Sequence, residues 1–149
     1  MSFIIMAFYC YGAGMMDYFA IYEPWQLINE KDFTALHHFQ GDRIVAIFVI
    51  PSAIMTLLNL ATALFPLPGT PRKLLWLALI AYSFDWIFSF TMQIPIQLQL
   101  GEGKDMDLLN DLLRTNWWRF AADTVHIIIV SVIVWKYIFA QSREVAKAL

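Results

Sequence analysis

Apolar residues fall in four long blocks separated by polar stretches. The blocks run from about Ser2 to Tyr22, Ile44 to Phe65, Leu74 to Ile96 and Trp117 to Phe139. An α-helix needs about 20 mostly apolar residues to cross a bilayer, and each block is long enough. Barrels, the other structure that satisfies its backbone in lipid, need short strands of alternating polarity, which this pattern lacks. The pattern predicts an all-α protein, an integral membrane four-helix transmembrane bundle forming one domain. Pro66-Leu67-Pro68-Gly69-Thr70-Pro71 reads as a tight turn. Residues 23–41 and 100–116 read as longer polar linkers. No Lys or Arg precedes the first block and Asp17 interrupts it, so it reads as an uncleaved helix rather than a signal peptide.

The polar exceptions inside these blocks are ordered. Asn116, Arg119, Asp123 and His126 fall on one face of the fourth helix. Tyr82, Asp85, Ser89, Gln93 and Gln97 lie close to one face of the third. His38, Asp42, Ser52, Thr56 and Asn59 fit one helical period if the second helix begins before the membrane. Cys10, Gly14 and Asp17 sit together on the first. Ionisable groups at membrane depth cost several kcal/mol and usually face the bundle interior. The four stripes therefore predict a polar interior.

Helical rise places Asp85 about 16 Å into the third helix and His126 about 14 Å into the fourth, which enters from the other side, so the two can meet near the midplane. Arg119 is expected to pair with Asp17 or Asp123, because an isolated buried charge is costly. Pro51 and Pro95 lack an N–H and free the carbonyls of Ile47 and Thr91 for other partners.

Composition narrows the picture. Of 149 residues, 60% are hydrophobic and 15% charged, against about a quarter charged in soluble domains. Net charge is −2 and no basic face is evident, which argues against nucleic-acid binding. The single cysteine, Cys10, leaves no internal disulfide and no CxxC knuckle. No phosphate loop and no GxSxG elbow is present. Three histidines are few for a di-iron or haem site, so neither a cofactor nor a metal is assigned. Asp123 and His126 form a D-x-x-H pair, a weak signal for metal ligation and a better one for proton transfer. Lys and Arg divide evenly between the two sides. Both termini are placed on the cytoplasmic side of a plasma or inner membrane.

The tryptophans Trp25, Trp76, Trp117, Trp118 and Trp135 lie near predicted helix ends, as interfacial residues do. Trp86 lies deeper; it could line a pocket, but lipid-facing packing is the expectation. His37 and His38 read as loop or interfacial residues.

The segments Gln93-Ile94-Pro95-Ile96-Gln97, Leu109, Leu112-Leu113 and Thr115-Asn116-Trp117-Trp118-Arg119 carry a family resemblance, with Asp42-Arg43-Ile44-Val45 and Ile50-Pro51 in support. The chain resembles the anthrone-oxygenase-like family of small four-helix membrane proteins. It departs from that family at Gln97, where Asn or His is common, and at Asp123 and His126, where many members carry a second Arg or His. Some fungal members are similar to cofactor-independent oxygenases that convert an anthrone to an anthraquinone. The resemblance implies a base that deprotonates a lipophilic, phenol-like substrate, after which the carbanion reacts with oxygen. It nominates His126 as base, Asp123 or Asp85 as its orienting partner, and Asn116 with Arg119 as oxyanion stabilisers. Gln93, Gln97 and Asp17 complete the candidate substrate-binding set.

Two other readings use the same residues. Asp85, Asp123 and His126 could line a transport or proton path, which in so short a chain calls for a homo-oligomer. Alternatively, the polar side chains hold helices together in a non-catalytic membrane partner protein. Interhelical hydrogen bonds of that kind are worth under ~1 kcal/mol each on average.

Overall fold

The computed structural model describes the backbone of residues 2–148 and side chains through residue 137. Four helices, each long and apolar enough to cross a membrane, make this an all-helical, multi-pass membrane protein. Helix α1 spans Ser2–Leu27, α2 Glu30–Leu64 and α3 Arg72–Leu100. Helix α4 spans Met106–Ala148. Consecutive helices run antiparallel, and α1 also packs on α4, which closes the ring.

The helices outrun the apolar blocks. Residues 30–41 and 106–116, read from the sequence as linker, are helical. A search for apolar windows registers only the part that crosses lipid. Beyond it these segments are amphipathic, burying Phe33 and His37 on one and Leu109 and Leu112 on the other. Asp105 caps α4, its carboxylate accepting from the backbone N–H of Asp107 and Leu108. The turn between α2 and α3 is tight, as expected. Thr70 N–H donates to Leu67 O, Pro68 sets the first bend, and Gly69 takes φ 81°, where a side chain would be strained.

Three of the helices widen locally. Residues Tyr18–Tyr22, Val45–Val49 and Ser89–Gln93 form π-turns, with hydrogen bonds reaching back five residues. Each lies just before a proline: Pro24, Pro51 and Pro95. The missing N–H and the ring's clash with the preceding turn account for the widening. As the sequence suggested, the carbonyl of Ile47 finds an outside partner, accepting from the Tyr9 hydroxyl at 2.8 Å.

The core divides by level. Near the chain termini and the 65–71 turn, small and large apolar residues interlock, among them Phe3, Ala7, Met55, Ala63, Ala78 and Val130. At the opposite end a second cluster forms around Trp25, Phe33, Leu100, Leu109 and Leu112. Trp25 is therefore a cap core residue, 1% exposed, rather than an interfacial anchor. Several of the buried polar side chains, Asp85 and Arg119 among them, lie between the two clusters, while His126 packs on Tyr82 of the first and His37 on Trp25 of the second.

Candidate functional site

The two middle π-turns decide where the bundle opens. Backbone packing between α2 and α3 is concentrated in Ile50–Leu64 and Arg72–Phe88. Beyond Val45–Val49 and Ser89–Gln93 the helices separate, and the gap is a cavity of about 370 Å³. That is the small end of the range for ligand pockets. Its apolar wall includes Ile44, Phe48, Val49, Trp86 and Ile94.

Polar groups enter this wall at two levels. At the inner level, Arg119 Nε donates to Asp85 Oδ1 at 2.9 Å, and both side chains are more than nine-tenths buried. Arg119 Nη1 also donates to Asn116 Oδ1 at 3.3 Å, and its guanidinium lies 5.3 Å from the Phe48 ring centre. These contacts hold in place the one buried Arg or Lys among the described residues, the cation–π contact adding to the ion pair. Ser52 and Gln93 stand nearby in the wall. Gln93 Nε2 donates to Thr115 Oγ1 at 2.8 Å, which ties α3 to α4.

At the outer level stand His37, His38, Gln97 and Tyr22. His37 is buried against Trp25 and Phe33. Its Nε2 lies 2.8 Å from Gln97 Oε1. Since a carbonyl oxygen only accepts, that contact places the proton on Nε2 and leaves Nδ1 as an acceptor. Nδ1 has no hydrogen-bond partner in the protein. His38 packs over Gly101, where a Cβ would lie 3.5 Å from His38 Cε1 and 3.2 Å from a backbone carbonyl of the last helical turn.

Of the eight site residues nominated from sequence, Asp85, Arg119, Gln93 and Gln97 line the cavity. Asp17, Asn116, Asp123 and His126 are buried outside it. Arg119 pairs with Asp85 instead of Asp17 or Asp123, although both lie within electrostatic range of the guanidinium. Spacing along one helix gave no means of choosing among acids on three helices. His126 does not bond Asp85. It packs against the Tyr82 ring with centroids 4.9 Å apart, and its Nε2 has no partner. One oxygen each of Asp17 and Asp123, and the Tyr82 hydroxyl, are likewise without one. Among the described residues no cluster of ligand side chains is fit to hold a metal.

The sequence reading missed His37 and Tyr22, set His38 in a polar stripe without a site role, and preferred lipid to a pocket for Trp86. Trp86 faces the cavity rather than lipid, donating to Thr56 Oγ1 at 2.9 Å. A signal for His37 was available in Phe33, His37 and Gln40, whose spacing is helical. Reading residues 23–41 as linker concealed it.

No protein-family model matches this chain, and neither a curated protein nor a solved structure matches it.

Proposed function

We propose that this membrane protein binds a small, lipophilic aromatic molecule between α2 and α3 and removes a proton from it. The observation that carries this reading is an apolar cavity of about 370 Å³ with a buried Asp85–Arg119 pair in its wall. Apolar space takes a ring system, and the guanidinium offers charge where a phenolate or enolate oxygen forms. The aromatic side chains Phe48, Trp86 and Tyr22 suit a flat ligand. His37 is the base in this reading: Gln97 orients its ring, and Nδ1 is left as a buried acceptor with no partner in the protein. It takes the place given to His126 by the family resemblance, since His126 does not reach the cavity. An oxygenase resembling the anthrone-oxidising proteins would follow if the carbanion then reacts with molecular oxygen, with no cofactor. Both termini are cytoplasmic in this proposal.

The test uses the protein in lipid nanodiscs, with anthrone and 1-naphthol as probes. Native mass spectrometry is expected to show one probe retained per chain, and anthrone is expected to yield anthraquinone with oxygen uptake. Ser89→Phe, which fills the cavity from its half-buried wall, is expected to abolish retention without unfolding the protein. Absence of both retention and turnover in the unmodified chain refutes the reading. Retention without turnover leaves a binding protein and removes the enzyme.

A further inference from the structure

The outer surface beside the cavity differs from the surface across the bundle. On α4, Trp117 and Trp118 are exposed and mark one interface, and Trp135 marks the other. They are about 27 Å apart along the helix, close to the thickness of the hydrocarbon core. Trp118 stacks on Phe88, so that plane meets α3 at Phe88. Beyond it, α4 exposes Asp107, Asn110, Asp111 and Arg114, as a helix in water does. At the same level α3 still exposes Phe90, Met92, Ile94 and Leu98, and α2 exposes Val45, Ile47 and Val49. On α3 the mostly apolar surface thus continues for about another 15 Å, with Thr91 and Gln99 also exposed, and on α2 it continues as far as Val45, before the exposed Asp42 and Arg43.

That extra apolar surface borders the cavity. Val45 and Val49 on α2, and Ile94 and Leu98 on α3, are exposed outside and line the cavity inside. Leu98 is 71% exposed. The opening between the helices is therefore edged by hydrocarbon on both sides. Only its far end carries polar exposed residues, His38 and Glu102. A bundle with one taller apolar flank lies tilted, and tilting lowers that flank into the lipid.

We infer that the cavity is loaded from within the bilayer, through the slot between α2 and α3, by a membrane-dissolved ring compound. The inference rests on the ligand-binding reading above. The cavity takes the ring, and any alkyl or prenyl tail stays in the slot against Val45, Val49, Ile94 and Leu98. Water reaches only the His38–Glu102 end. Neutral ring compounds that partition into membranes are the class admitted, and soluble anions of similar shape are excluded.

The test compares rates of 1-naphthol uptake by nanodisc-embedded protein, followed by stopped-flow quenching of tryptophan fluorescence. Val45→Trp and Leu98→Trp narrow the slot where these residues border it. Each is expected to slow uptake and release together by tenfold or more. His38→Trp, at the watery end, is expected to slow uptake far less than either slot variant. Rates that ignore the slot variants and fall with His38→Trp overturn the inference and assign loading to the aqueous side. So does a dimer in native mass spectrometry that Leu98→Trp dissociates, because the slot is then a subunit contact. If the unmodified chain takes up no probe at all, the binding reading fails first, and the two failures are told apart by that control.

Discussion

Two groups of buried polar side chains stand side by side in this bundle, and they differ in what surrounds them. One group, Asp85, Arg119, Gln93 and Gln97, lies in the wall of a cavity, and each has a polar side-chain partner. The other, Asp17, Asp123, His126 and Tyr82, is enclosed by packed helices; polar atoms without a partner occur in both groups, Gln93 Oε1 and Gln97 Nε2 among them. Residue type does not separate them, since both contain carboxylates at membrane depth. The difference is whether α2 and α3 stay in contact at that level. Where prolines make them part, polar groups are placed against space a ligand can fill. Where the helices close, the same chemistry is shut in.

The sharpest way to break this comparison is to cut the pair at its centre. Asp85→Ala strands the Arg119 guanidinium in a buried site, and the cost is expected to be about 3–5 kcal/mol. Thermal unfolding in nanodiscs measures it, and probe retention is expected to vanish as well. A small loss of stability shows that water or lipid headgroups already reach the pair.

Next in size is the effect of the prolines. Pro95→Ala restores an N–H to α3 and removes the ring clash behind the π-turn at Ser89–Gln93. The helix is expected to straighten, the cavity to shrink and probe affinity to fall about tenfold, a shift of about 1.4 kcal/mol in binding. Unchanged affinity means that packing rather than proline holds the helices apart.

His126→Leu addresses the enclosed group. It replaces an unpartnered imidazole by an apolar side chain, and such a change is expected to leave stability level or raise it by about 1 kcal/mol. Probe retention and turnover are expected to be unaffected. Loss of turnover in a stable His126→Leu protein makes His126 the base, as the family resemblance suggested, and removes His37 from that role. The smallest effect belongs to Tyr9→Phe, which takes the hydroxyl from the Ile47 carbonyl and is expected to cost about 1 kcal/mol. It bears on the π-turn of α2 alone, and a larger loss makes that bond a main support of the turn.

Hydropathy alone settled much of this protein. Four runs of about 20 apolar residues require four spanning helices, because in lipid only helices and barrels satisfy the backbone and a barrel needs short strands of alternating polarity. Pro68 and Gly69 required the tight turn, and Pro51 pointed to an outward bond from Ile47 that Tyr9 makes. Helical spacing identified many of the inward positions: Asp85, Arg119, Gln93 and Asp123 are all buried, whereas His38 and Asp42, read into the stripe of the second helix, are exposed. It was silent on how the four faces meet. Pairing of Arg119 with Asp85 depends on the vertical offset and rotation of α3 against α4, which interlocking side chains set across the whole interface. The cavity depends on two helices diverging at matched levels, each bent by its own proline. His37 came into view only because α2 runs past the membrane and folds its polar start over Trp25. Periodicity is a property of one helix. Which inward groups become partners, and which face empty space, is a property of the assembled four.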